Sequence, residues 1–361
     1  MSAAAKKICA GVLLEKTGDA SALALTDSLP VPAPTGTEML VRNRAAGVNY
    51  IDIYHRTGVY PIPLPAVLGR EAAGEVVAVG EAVKDFKIGD RVLARLSRET
   101  AGWGGRGCLL TCVFSTGSRA SASQAYISPG TYAEYSLASE DKAVLLTPQF
   151  SFVDGAAAML QGLTALSLVR EAYRVREGDW VLVHAAAGGT GLMLTQMAVA
   201  YGARVIGTTS SDEKAALARK AGCEHVVVYT RDDVVAEVGK ITGGMGVHVV
   251  YDGVGKSTFD ASLACVRRLG SLVSFGNASG VVEPFAIGRL SQNNARLLRP
   301  TLMNYVTTKE EFRALADELW TLIIEKSVRL TVHKVYQLKD VAQAHRDLES
   351  RATTGKLVLE I

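Results

Sequence analysis

A strand that runs into a glycine turn and straight on into a helix constrains this chain more than any other feature. Residues 179–191 read Asp-Trp-Val-Leu-Val-His-Ala-Ala-Ala-Gly-Gly-Thr-Gly. The apolar run from Trp180 to Val183 suits a strand buried on both faces. The turn after it puts Ala186, Gly188 and Gly191 in the three places of the dinucleotide-binding fingerprint. The second place lets backbone approach a pyrophosphate, and the third lets helix and strand pack closely. The helix N-terminus adds free N–H groups and a partial positive charge. Ala187, Gly188, Gly189, Thr190 and Gly191 are therefore candidate cofactor-binding residues. A tight turn with no ligand satisfies the same spacing, so its neighbours have to decide.

Those neighbours alternate in a regular way. Strands are expected at 179–184, 204–208, 225–229, 247–252 and 271–275, with helices at 191–201, 212–221, 232–241 and 258–269 between and after them. Near-continuous apolar strands separated by helices specify a parallel sheet covered on both faces. An Ala- and Leu-rich helix, 155–171, leads in. Upstream the pattern is β-rich, with strands at 8–14, 39–43, 72–79, 90–94 and 131–136, and proline clusters at 29–34 and 60–65 marking loops. Residues 95–129 differ in kind: rich in Gly, Ser, Ala and Arg, they lack periodicity and form a long irregular insertion. A lid over the site, an excursion with no role, and sequence absent from the mature protein all stay open for it. After the alternating region come helices at 309–326 and 341–349 and a strand at 357–361.

The second strand of the alternating region ends in Thr208, Thr209, Ser210 and Ser211. NAD-specific sites place a carboxylate about 20 residues beyond the glycine turn, on the ribose hydroxyls. Here hydroxyls stand there instead, with Lys214 one turn on, which favours the 2′-phosphate of NADPH. Asp212 and Glu213 are expected to cap the helix that begins beside them.

Composition sets limits on everything else. With 48% hydrophobic and 21% charged residues, 361 residues can bury two cores. A net charge of +3 argues against nucleic-acid and anionic-membrane partners. Five scattered cysteines fit no disulfide framework and point to a reducing, cytoplasmic setting. The apolar run 8–14 is too short to span a membrane.

The chain resembles the medium-chain dehydrogenase/reductase superfamily, and within it the quinone oxidoreductase group that includes zeta-crystallin. The resemblance covers nearly all of the chain except 95–129. It rests on Ala46-Gly-Val-Asn-Tyr-Ile-Asp52, Gly69-Arg-Glu-Ala-Ala-Gly74 and His184-Ala-Ala-Ala-Gly-Gly-Thr-Gly191. Val249-Val-Tyr-Asp-Gly-Val-Gly255, Ser274-Phe-Gly-Asn277 and Glu349-Ser-Arg-Ala-Thr353 complete it. It implies a Rossmann-type doubly wound parallel sheet, residues 161–298, inserted in a partly open, GroES-like β-barrel catalytic domain made of 1–160 and 299–361. It also implies a homodimer formed through an edge strand, here 271–277.

The same resemblance implies site residues. Asn49, Tyr54 and Tyr60 would line the catalytic cleft, and aromatic faces with phenol hydroxyls suit a flat quinone; packing within the barrel domain would account for the same tyrosines. Thr164, with Gln161 and Gly162, would contact the cofactor. Lys214, Tyr229 and Ser210 would hold its 2′-phosphate end. Phe275 and Gly276, with Asn277, would flank the nicotinamide, and Arg351 would reach the phosphates. The superfamily's zinc enzymes carry a Gly-His-Glu motif and an upstream Cys where this chain has Gly69-Arg70-Glu71 and Asn49, so no metal is expected. Reduction of a quinone by NADPH is the activity implied. Reduction of α,β-unsaturated carbonyls and the AU-rich RNA binding of some relatives are the alternatives.

Overall fold

The computed structural model describes residues 7–95, 130–325 and 327–361; of the expected insertion 95–129, residues 96–129 lie outside the described residues. The chain forms two compact units. One comprises Met1–Ala157, Lys334–Ala352 and Leu357–Ile361, and the other Ala158–His333 and Thr353–Lys356.

In chain order, the first half contributes strands β1 (Ile8–Leu14), β2 (Leu23–Pro30) and β3 (Glu38–Val48), helix α1 (Tyr50–Thr57), then β4 (Ala66–Val67), β5 (Glu71–Val79), β6 (Arg91–Arg95), β7 (Tyr135–Ser139) and β8 (Ala143–Leu145). Helix α2 (Phe152–Ser167) leads to β9 (Trp180–Val183), α3 (Gly189–Ala200), β10 (Arg204–Thr209), α4 (Asp212–Lys220) and β11 (His225–Val228). Next come α5 (Val234–Ile241), β12 (Val247–Asp252), α6 (Phe259–Cys265), β13 (Val266–Ser274), β14 (Arg296–Leu298) and α7 (Lys309–Ile324). The chain closes with β15 (Val332–Gln337), α8 (Val341–Glu349) and β16 (Lys356–Glu360).

The first unit is built on antiparallel pairs. β3 sits at its centre and pairs with β5, β7 and β16. Met39, Val41, Ala45, Ala46 and Val48 of β3 are buried, and apolar residues of β1, α8 and β16 share one core with Ala46 and Val48. Helix α1 interrupts this β-rich region, where no helix is expected from the sequence pattern. It opens at Asn49, whose N–H donates to Asp52 Oδ2 at 2.9 Å. It closes at Gly58, which takes φ 81°, a left-handed turn that suits glycine.

The second unit carries the expected parallel sheet, in the order β11-β10-β9-β12-β13-β14. That is the doubly wound order, and the direction of winding reverses between β9 and β12, where such sheets open a crevice at their carboxyl ends. Two details differ from expectation. The helix expected over 258–269 stops at Cys265, because Val266 already pairs with Val247 of β12; the register then slips through Leu269, at φ 63°, before Ser271 pairs with Val249. Residues 271–277 are also not at the sheet edge, since β14 pairs outside β13 and takes that place.

Helix α7 belongs with the second unit, whereas the sequence pattern puts everything after 298 with the barrel domain. Phe312, Leu315, Leu319 and Ile323 form its buried stripe. Leu319 lies over Gly162 of α2, where a Cβ would come within 2.7 Å of its methyl group. The helical stretch Phe152–Ala172 is long and apolar enough to cross a membrane, but most of it is buried inside the protein, as in a core helix. Leu319→Ala would leave a cavity beside Gly162; a loss of about 2–4 kcal/mol is expected, read as a lower urea midpoint at unchanged m-value.

Candidate active site

The glycine turn is shaped by what lies beneath it. Ala185 adopts φ 51°, an uncommon conformation for alanine, and its carbonyl accepts the Gly188 N–H at 2.9 Å. Ala186 is fully buried and donates to Thr208 O at 3.0 Å. Its methyl is accommodated because β10 has a glycine opposite: a Cβ on Gly207 would stand 2.8 Å from that of Ala186. A Cβ on Gly191 would overlap the carbonyl oxygen of Ala185, so glycine is required there for helix and strand to meet. Gly188 caps α3 in extended conformation, and its carbonyl accepts the Leu192 N–H at 2.9 Å. The N–H groups of Gly189, Thr190 and Gly191 lie in the first helical turn, where an α-helix provides no acceptor of its own. The C-terminal segment borders the turn, with Gly355 donating to Ala187 O at 3.1 Å.

Beneath the turn runs a buried polar chain whose proton positions follow from chemistry. The Asp252 carboxylate can only accept, so the Ser262 hydroxyl, 2.7 Å from Oδ2, donates to it. Ser262 Oγ then accepts from His184 Nε2 at 2.9 Å, and His184 Nδ1 accepts from the Thr208 hydroxyl at 3.0 Å. Burial lowers the His184 pKa, which keeps the ring neutral as this pattern requires. The carboxyl ends of β9, β10 and β12 are thereby tied together.

At the ends of β10 and β11 the candidate residues for the adenosine side converge. Tyr229 donates its N–H to Thr209 O at 3.0 Å, and the Thr230 hydroxyl donates to Ser210 O at 3.2 Å. Ser211 caps α4, and the Lys214 ammonium is half-buried, which lowers its pKa. The acidic pair is engaged elsewhere: Asp212 is 2.8 Å from Arg231, and Glu213 is hydrogen-bonded to Ser211. Arg231 is a cation in this corner that sequence reasoning missed, because it lies outside the strand-end pattern. At the end of β13, Phe275 donates to Asp252 O at 2.8 Å, and a Cβ on Gly276 would overlap the Gly253 carbonyl. The Arg299 guanidinium bonds the carbonyls of Ser274 (2.9 Å) and Gly276 (3.0 Å) and fixes that corner; it too was missed. Thr164 lies half-buried on α2, one turn from Gln161, whose amide oxygen faces Gly189.

In the first unit, Asn49 opens α1, while Tyr54 on that helix meets Tyr60 just beyond it. The ring centroids of Tyr54 and Tyr60 are 4.9 Å apart, edge to face, and that of Tyr50 lies 5.5 Å from Tyr54. The Asn49 amide donates to Gly47 O at 3.1 Å and to Glu71 Oε1 at 3.0 Å. Arg70 Nη2 is 2.5 Å from His55 Nε2. An amide and a guanidinium thus hold the two places where zinc enzymes of the superfamily have ligands, and a guanidinium has no lone pair to offer. Among the described residues no three His, Cys, Asp or Glu side chains gather as a metal site. Arg351 is exposed, at φ 59°, just past α8, and its charge acts on the Tyr50 phenol.

Comparison with known proteins places this geometry. The Alcohol dehydrogenase GroES-like domain family matches residues 35–149, and the Zinc-binding dehydrogenase family matches 189–321. A quinone oxidoreductase of Pseudomonas aeruginosa is 43% identical over 331 residues, 91% of this chain and 93% of that protein. The chain belongs to the quinone oxidoreductase group of the medium-chain dehydrogenase/reductase superfamily. Two solved quinone oxidoreductases share its fold closely at 38% identity, covering 98% of this chain and 100% of theirs. The Pseudomonas syringae protein superposes with a TM-score of 0.87, and the Escherichia coli protein, in complex with NADPH, with 0.86. The fold class read from the sequence is that of this group.

This quinone oxidoreductase-group chain also holds two histidines neutral inside its first unit. Burial, then Arg70, lowers His55 to about 4; burial, then Arg56, lowers His345 to about 3. Their ordinary value is 6.5, so the unfolded chain binds more protons as pH drops below it. Stability should therefore be complete above pH 6.5 and fall as pH drops toward 4, by about 3 kcal/mol from His55 alone. Urea titrations between pH 7 and pH 4 should show this slope, and His345→Gln should flatten it by about one proton.

Proposed function

We propose that the protein is a zinc-independent NADPH:quinone oxidoreductase whose second unit binds the cofactor and whose first unit binds the acceptor. The observation that carries the cofactor half is the end of β10. There Ser210, Ser211 and the half-buried Lys214 stand where an NAD site has a carboxylate, and Asp212 is held by Arg231.

The first-turn N–H groups of Gly189, Thr190 and Gly191 would take the pyrophosphate charge, beside Ala187 and Gly188. Lys214, Ser210 and Tyr229 would hold the 2′-phosphate. Phe275 and Gly276 would flank the nicotinamide, Thr164 would contact the cofactor from α2, and Arg351 would reach its phosphates. NADPH, when bound, supplies the hydride.

On the acceptor side, the chemistry asks little of the protein beyond placement. Oxidising an alcohol needs a base or a Lewis acid to manage the hydroxyl proton, and neither the Asn49 amide nor the Arg70 guanidinium is one. A quinone is itself electron-poor and leaves as a stabilised phenolate, so rings to stack on and hydroxyls to donate are sufficient. Half-buried Tyr60 offers both, with buried Tyr54, edge-on to it, as the proton donor and Asn49 at the start of the same helix. The reading extends to a cytoplasmic homodimer acting on a small molecule, with neither nucleic acid nor membrane as partner. Exposed Leu298 on the edge strand β14, with exposed Ile287 nearby in the chain, supports pairing through that edge rather than through 271–277.

Two measurements test the proposal. NADPH oxidation followed by absorbance should be fast with 1,4-benzoquinone or 9,10-phenanthrenequinone and slow with a medium-chain alkenal; turnover of the alkenal alone would overturn the quinone reading. Lys214→Ala should raise the KM for NADPH by about tenfold or more and leave that for NADH nearly unchanged, as expected for loss of one charge-assisted phosphate contact.

A further inference from the structure

Tyr60 is tied to α1 by both of its backbone polar groups. Its N–H donates to Tyr54 O at 3.1 Å, and its carbonyl lies 3.0 Å from His55 Nδ1. The other nitrogen of that ring is the one 2.5 Å from Arg70 Nη2. A guanidinium is always a donor, so Nε2 carries the lone pair, the proton sits on Nδ1, and Nδ1–H donates to Tyr60. Both partners are buried, His55 at 5% and Arg70 at 9% exposure, where the guanidinium polarises the imidazole and strengthens its second bond. Arg70 immediately precedes β5, so the sheet holds Arg70, Arg70 holds His55, and His55 holds the backbone of Tyr60. The Tyr60 ring is left half-buried, edge-on to Tyr54.

We propose that Arg70 and His55 are positioning residues that set the Tyr60 ring against the acceptor and so determine which quinones the site takes. The position that holds a metal ligand in the zinc enzymes of the superfamily acts here as a strut. The inference rests on the reading that Tyr60 faces the acceptor.

The test uses the full chain and two acceptors of different width, 1,4-benzoquinone and 9,10-phenanthrenequinone. His55→Leu and Arg70→Leu should each change the ratio of kcat/KM for the two quinones by about fivefold or more, since small displacements of a positioning group are felt strongly. The KM for NADPH should stay within about twofold in both variants, because the perturbation lies on the acceptor side. A general weakening of the fold would lower both quinones alike and leave the ratio unmoved. Should the leucine variants fail to fold, His55→Asn carries the test. It keeps a donor for Tyr60 and loses the acceptor for Arg70, and should shift the ratio in the same direction by a smaller factor. A ratio within about twofold of the parent, while Tyr60→Ala does change it, overturns the strut. If Tyr60→Ala leaves both quinones unaffected, the reading of Tyr60 as an acceptor residue fails, and the proposal falls with it.

Discussion

Gly191 has no side chain because the carbonyl of Ala185 occupies the space one would need. That contact brings the start of α3 down onto the end of β9, and the rest of the second unit is arranged around it. Ala186 can follow Ala185 only because β10 offers Gly207 opposite, so two strands and a helix share one close approach. Once α3 is seated, its first-turn N–H groups and the positive end of its dipole point away from the sheet at the crevice where winding reverses. The site proposed for an anionic cofactor would be a by-product of how the backbone packs.

Polar groups buried under that turn are kept in order by complete pairing. Asp252 accepts from Ser262, from Thr258, and from the N–H groups of Val254 and Gly255, so its charge is met on every side. The first unit pairs its buried charges only in part, since Nε and Nη1 of Arg56 find no hydrogen-bond partner. Asp52 accepts from Asn49 N–H and from the Tyr132 hydroxyl, each at 2.9 Å, and the buried Arg56 reaches Glu349 at 2.6 Å. Removing one partner from such a set leaves a dry charge, which is far more damaging than never having had the set. Both units therefore depend on polar cores as well as apolar ones.

The parallel sheet was legible because its strands are apolar throughout and its turns carry glycine at fixed offsets. The hydroxyl-rich end of β10 was legible for a similar reason: it lies at a known distance from the glycine turn. What could not be read were features made by partners distant in the chain. Helix α1 is only eight residues long, within a β-rich stretch, and depends on an N-terminal bond to Asp52 and a glycine stop. The slip in β13 arises from pairing with β12, and the outward position of β14 from pairing with β13. Arg231, Arg299 and the Arg70–His55 contact join residues 15 to 25 positions apart through long side chains, where no periodicity reports them. The grouping of Asn49, Tyr54 and Tyr60 came from the family resemblance, and local pattern would not have supplied it.

The final stretch of chain serves both units. Residues 353–356 go with the second unit, where Gly355 borders the glycine turn, while Leu357 to Glu360 pair with Val48 to Ala45 in the centre of the first. During synthesis, β3 is made some three hundred residues before the strand that completes it. The second unit lacks its last part until residue 356 has emerged, and the first until Leu357 to Glu360 follow, so the two gain their final pieces within a few residues of each other. A chain stalled a few residues short would leave β3 with an open edge and the glycine turn without its border, the kind of exposed strand that chaperones retain and proteases find.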